Sequence, residues 1–281
     1  MEHLDLAALV RPTPTEHPAR FTLDVPDGLQ QGRGAWGGLA TGAMVSAARQ
    51  FDGRPALLAR TLGAQLVAPV LVGEVVLEVE SLRRGSRTHT LDVRMRDAQG
   101  GLLAHGVVVL GAARGSGDVP DGAAWQRVAP PNELAGGPEA VPVLPVGPPL
   151  APDFTVHLEF RIVAGIPFQG STSDVVCGWI APRGPLSAVD DSVVAALADA
   201  WWVAVMPQLD RPRPVATLGF SLELPLDPAR LPRTADGGLQ PLFHRGRTIA
   251  AREGYVVEVR ELWTGDGRLA SWNTQTVTII A

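Results

Sequence analysis

Hydrophobic and polar positions follow one another in the same order twice along the chain. In the first half an uncharged run, Ala35–Ala48, predicts a buried helix. Alternating or β-branched runs at Thr61–Val67, Val75–Leu82, Thr88–Arg96 and Leu103–Leu110 then predict strands. In the second half, strand patterns at Phe154–Ile162 and Val175–Ile180 precede a helical run over Asp190–Met206. Further strands are predicted at Ala216–Leu224, Tyr255–Trp263 and Leu269–Ile280. The tetrapeptide Thr264-Gly265-Asp266-Gly267 reads as the tip of a hairpin.

Between the halves, Gly and Pro make up more than a third of the stretch from Gly111 to Pro152. That density marks irregular backbone. The predicted organisation is an N-terminal domain over 1–112, a linker over 113–152 and a C-terminal domain over 153–281. Pro225–Gly246 reads as a long loop inside the second domain. Two local matches support a duplication. Thr61–Leu66 parallels Thr217–Leu222, with four of six positions identical. His89–Ala104 parallels Tyr255–Ala270, with five of sixteen identical and Gly101 set against Gly267. A repeat of this length is a duplicated domain, not a solenoid unit.

Val193–Met206 is apolar at thirteen of fourteen positions, the exception being Asp199. Fourteen helical residues span ~21 Å, short of a ~30 Å bilayer core. A helix apolar all round and too short for a membrane predicts a sheet wrapped around it. Asp199 then sits in an apolar setting, where an unpaired carboxylate is costly and marks candidate chemistry. An arginine partner or a reach to solvent is the competing reading.

Composition narrows the function classes. The chain has 281 residues, 46% apolar and 19% charged, with a net charge of −5. This argues for a packed globular protein and against a general nucleic-acid binder. All 24 basic residues are arginine. Without lysine, Schiff-base chemistry and a lysine-bearing phosphate loop are excluded. The single cysteine, Cys177, precludes an internal disulfide, and the six histidines show no metal-ligand spacing. No metal or other cofactor is expected. The start Met1-Glu2-His3-Leu4-Asp5 does not read as a signal peptide, and no apolar run is long enough for a membrane span. A cytoplasmic protein is expected.

Short motifs then carry a resemblance. They are Trp36-Gly37-Gly38 opening the first helix, Ala198-Asp199-Ala200-Trp201-Trp202, Ala216-Thr217-Leu218, and Asp266-Gly267-Arg268-Leu269-Ala270 followed by Gln275. In this order the chain resembles the double-hotdog (type II) acyl-CoA thioesterases. The resemblance implies an α+β fold of two tandem hotdogs, each an antiparallel sheet wrapping a central helix. It implies acyl-CoA as substrate and a further homo-oligomer. Carried over by position, Asp199, Thr217 and Gln275 hold the attacking water, with Asp199 as general base or as a direct nucleophile. Their counterparts in the first half are Thr61 and the apolar Ala43 and Val109, so one site per chain is expected. Backbone N–H groups at Gly37 and Gly38 are candidate oxyanion donors, close helix packing being the alternative. Arg84 and Arg87 can meet CoA phosphates or form a solvated turn. Trp201 and Trp202 can line an acyl channel or pack in the core. The family often has an acidic residue and a histidine just after the threonine; Gly219 and Phe220 stand there. A non-catalytic acyl-CoA-binding protein therefore stays open. So does an enoyl-CoA hydratase or dehydratase, although no paired Asp and His is seen.

Overall fold

The computed structural model describes residues 3–114 and 126–280. Met1, Glu2 and Ala281, and residues 115–125 of the expected linker, lie outside the described residues. A short helix α1 (Leu6–Leu9) leads into β1 (Thr13–Pro14), β2 (Arg20–Val25), β3 (Gln30–Gln31) and β4 (Gly34–Ala35). The long helix α2 (Gly37–Asp52) follows, then β5 (Leu57–Leu66), β6 (Gly73–Arg84), β7 (Thr88–Arg96) and β8 (Leu102–Ala112). The second half holds β9 (Leu158–Ala164), β10 (Val175–Pro182), α3 (Asp191–Leu197), β11 (Val215–Glu223), β12 (Leu242–Arg252), β13 (Tyr255–Trp263) and β14 (Leu269–Ile279).

All these strands but β3 and β4 form one sheet, in the order β1-β2-β6-β7-β8-β5-β11-β14-β13-β12-β10-β9. Every pairing in it is antiparallel. The halves meet edge to edge at β5 and β11, where Ala64 pairs with Phe220. A bulge follows Thr217 in β11 and Ala59 in β5, so Thr217 corresponds to Ala59, two positions from the Thr61 of the sequence match; Gly63 and Ser221, paired here, are then each other's counterparts and a local twofold axis passes between them. Phe220 is buried at this seam. Its size serves the join between halves, which satisfies an otherwise open sheet edge.

The second repeat match shifts by a single position. In the β7–β8 turn, Asp97 N–H donates to Gly101 O and Gly100 N–H to Asp97 O. In the β13–β14 turn, Thr264 N–H donates to Arg268 O and Gly267 N–H to Thr264 O. Gly100 and Gly267 both take positive φ, 85° and 81°. The structural counterpart of Gly267 is thus Gly100, where the sequence match set Gly101. A slip of this kind exchanges the two faces of a strand. The first-half counterpart of Gln275 is therefore the buried Val108 rather than Val109.

Helix α2 fulfils its prediction. Gly38–Ala48 is buried throughout, and Gly53 closes the helix in the left-handed region (φ 74°) with its N–H on Arg49 O. Helix α3 does not. It ends at Leu197, seven residues long, where fourteen apolar-rich positions predicted a helix to Met206. The tight bonds Asp199 N–H to Ala196 O and Ala200 N–H to Leu197 O close the turn. Beyond it the backbone finds tertiary partners that a continued helix would forgo. Ala204 N–H donates to Glu258 Oε2 at 2.7 Å, and Trp202 Nε1 to Gly165 O at 2.9 Å. The two helices touch through Thr41, whose hydroxyl lies 3.3 Å from Ala195 O.

Two other expectations change. Part of the expected Pro225–Gly246 loop is strand β12, between β10 and β13; its Gly246 and alternating arginines hide it from a hydrophobic pattern. The described part of the Gly/Pro-rich segment packs rather than tethers. Its Leu134 joins Trp179, Phe243 and Trp263 in a separate cluster, and Leu144 bridges to Phe160.

Candidate active site

The turn that ends α3 points Asp199 across the join between the halves. Its carboxylate is 6% exposed and faces the first turn of α2 at Gly37 and Gly38. Its Oδ1 accepts from Gln275 Nε2 at 2.8 Å and Arg260 Nη1 at 3.2 Å. Gln275 is fully engaged. Its second N–H goes to Asn273 Oδ1 at 2.9 Å, and its Oε1 accepts from the Thr217 hydroxyl at 3.0 Å. Asp199 and Gln275 thus touch directly, and Thr217 joins through Gln275. Thr217, half-buried on β11, is the most open of the three. Its hydroxyl, having donated to Gln275, keeps lone pairs to accept from a water.

Burial raises the Asp199 pKa above the ordinary carboxylate value, and outweighs Arg260 and Gln275, which both lower it. A carboxylate so held is a stronger proton acceptor than a solvated one once it is ionised.

Two residues absent from the sequence reading complete the cluster. Arg260 and Glu258 lie two apart on β13, so they share one face. Arg260 Nε donates to Glu258 Oε1 at 2.6 Å. Arg260 is 3% exposed and Glu258 0%. In the register fixed by the two turn glycines, their first-half counterparts are Val93 and Leu91, both buried. The period-two set Val256, Glu258, Arg260, Leu262 carried the signal, but apolar residues on both faces of β13 obscured which one turns inward.

Gly37 and Gly38 are both required by close approach. A Cβ on Gly37 would lie 2.5 Å from Asp199 Oδ2, and one on Gly38 would lie 2.2 Å from the Trp36 indole. The Gly38 amide faces the Asp199 carboxylate and favours its ionised form. Trp201 is buried in the core, while Trp202 is half-buried. Both border a cavity of about 50 Å³ shared with Phe154, Phe160 and Ala200.

Arg84 and Arg87 are both exposed and do not reach this cluster. Their turn is held by Arg54, whose Nη1 donates to Gly85 O at 2.9 Å, just beyond the C-terminal end of α2. Asp199 sits at the other end of that sixteen-residue helix, ~24 Å away along the axis. Among the described residues no three His, Cys, Asp or Glu side chains gather as a metal site. No helix among them is long and apolar enough to cross a membrane.

Comparison with known proteins follows the same division in two. Residues 25–113 match the family model of the acyl-CoA thioesterase N-terminal domain, and residues 138–279 that of the C-terminal domain. A search of curated proteins finds no match. Among solved structures, a hotdog-fold protein of unknown function from Alicyclobacillus acidocaldarius is 23% identical with a TM-score of 0.81, covering 98% of each chain. The acyl-CoA thioesterase II TesB2 of Mycobacterium marinum is 16% identical with a TM-score of 0.70, again covering 98% of each chain. The dehydratase domain of RzxB from Pseudomonas fluorescens is 12% identical with a TM-score of 0.57, covering 99% of this chain and 100% of that one. At these identities the likeness establishes a double-hotdog α+β fold and not the reaction.

Proposed function

The chain belongs to the acyl-CoA thioesterase family, and from that premise we propose that it hydrolyses acyl-CoA thioesters to free acid and CoA at the Asp199 cluster. One observation carries this reading: a buried carboxylate linked through Gln275 to the half-open hydroxyl of Thr217. Water accepted at Thr217 and facing Asp199 loses a proton to the carboxylate as its oxygen adds to the thioester carbonyl. The developing oxyanion falls at the N-terminal end of α2, where helix N–H groups favour negative charge. Collapse expels the CoA thiolate, and Asp199 returns the proton to it. Of the two carboxylate oxygens, Oδ1 holds the bonds from Gln275 and Arg260, and Oδ2 faces the first turn of α2.

A hydratase or dehydratase would need a histidine sharing the substrate with Asp199. His244 is fully buried and stacked on Trp201 at 4.9 Å between ring centroids, with both ring nitrogens shut off from solvent. Free-thiol release from a panel of acyl-CoAs of varied chain length tests the proposal. Release from at least one member supports hydrolysis, and none from any member favours a protein that only binds.

The glycine at the helix entrance supplies a second test. Gly37→Ala drives a methyl group against Asp199 Oδ2, so the carboxylate must move by several tenths of an ångström. Misplacements on this scale cost roughly tenfold or more in rate. A drop in kcat of about tenfold, with the circular-dichroism spectrum unchanged, is the expected result.

A further inference from the structure

We propose that Arg260, anchored by Glu258, is a positioning residue that holds Oδ1 of Asp199, leaves Oδ2 turned to the first turn of α2, and keeps that carboxylate charged inside the fold. Three observations converge. Arg260 is buried with one guanidinium nitrogen on Asp199 and another on Glu258. Glu258 is itself fixed from behind by the Ala204 backbone N–H, in the segment that immediately follows Asp199. The duplicated half carries Val93 and Leu91 at these two positions, next to Val108 in place of Gln275. The ion pair is therefore confined to the half that holds the carboxylate. A pair serving only the packing of the sheet would have no reason to follow the polar set.

The charge relations favour the same role. The groups facing Asp199 and Arg260 are Glu258 on β13, the uncharged Asn273 and Gln275 on β14, the Gly38 amide of α2, and His244 on β12. Burial and Arg260 hold the His244 pKa well below its ordinary value, which favours the neutral imidazole. Among the described residues Arg260 is then the cation bonded to Asp199. Removing it withdraws the main interaction opposing the effect of burial, and the carboxylate must hold its proton to higher pH.

The test uses the full-length double variant Glu258→Leu/Arg260→Met. It removes one anion and one cation together and keeps the volume, an exchange that buried ion pairs tolerate. The Asp199 carboxyl is followed by ¹³C NMR in protein labelled at aspartate, its resonance assigned by its loss in Asp199→Asn. Its midpoint is expected to rise by at least one pH unit, about tenfold in proton affinity. The acid limb of kcat should move by the same amount. Arg260→Lys should keep the midpoint within half a unit of wild type. A folded double variant whose Asp199 midpoint is unchanged overturns the proposal, as does a general fall in rate with no movement of the acid limb. The kinetic arm rests on the hydrolase reading, but the NMR arm does not. Absence of thiol release in wild type would refute that reading while leaving the titration to decide this one.

Discussion

Asp199→Asn is expected to lower kcat for acyl-CoA hydrolysis at least ~100-fold, the lower range for loss of a general base. The substitution keeps the shape of the side chain and an oxygen that can still accept from Gln275 and Arg260. It removes only the ability to take a proton. KM should change little, because no contact to the bulk of the substrate is lost. Stability separates this outcome from misfolding. The folded-state pKa of Asp199 is raised, so the folded protein binds that proton more tightly than the unfolded chain. Ionising the group therefore costs stability, a cost absent below the ordinary value near 3.8 and complete once pH passes the raised one. Asparagine has no such cost, and Glu258 still pairs Arg260. The variant should consequently unfold at neutral pH no earlier than wild type. Thiol-release kinetics alongside a thermal melt check both halves of the expectation. Unchanged turnover in a folded variant would remove Asp199 from the mechanism.

The parts of this site legible in the sequence are those that break a pattern. Asp199 stands out as one acid among thirteen apolar residues, and Thr217 and Gln275 follow from the family motifs. The structure brings all three into one hydrogen-bonded chain. What sequence hides is what depends on register. Glu258 and Arg260 lie on a strand apolar on both faces, and the uncorrected repeat pairs Arg260 with Arg94 instead of Val93. That error turns an inward, partnered guanidinium into an outward one. The length of α3 is hidden too. Local composition favours helix through Met206, but Glu258 and Gly165 draw the backbone and the Trp202 indole elsewhere, contacts that no local pattern encodes. Arg84 and Arg87 are visible as a cluster, yet only the axis of α2 shows that they stand at the wrong end.

Trp201→Ala is expected to lower the free energy of unfolding by about 3–5 kcal/mol, the range for truncating a buried large aromatic. The adjacent tryptophans have separate duties. Trp201 is 2% exposed and lies parallel to His244, at an interplanar angle of 7°. It also packs at 5.3 Å against Phe160 and 4.8 Å against Trp202. A Cβ on Gly178 of β10 would come within 2.8 Å of its ring, so the indole rests directly on the strand backbone. Little can collapse into the space it would leave, which places the loss at the upper part of the range. Trp202 is half-buried, tied by one hydrogen bond to Gly165 O, and is the more open of the two tryptophans that border the small cavity. Trp202→Ala should therefore cost less stability and change which acyl-CoAs are accepted. Urea unfolding distinguishes them: a large drop in midpoint at unchanged slope for Trp201→Ala, and a smaller one for Trp202→Ala. Equal losses for the two would mean that the pair forms a single packing unit, and that the cavity owes nothing particular to Trp202.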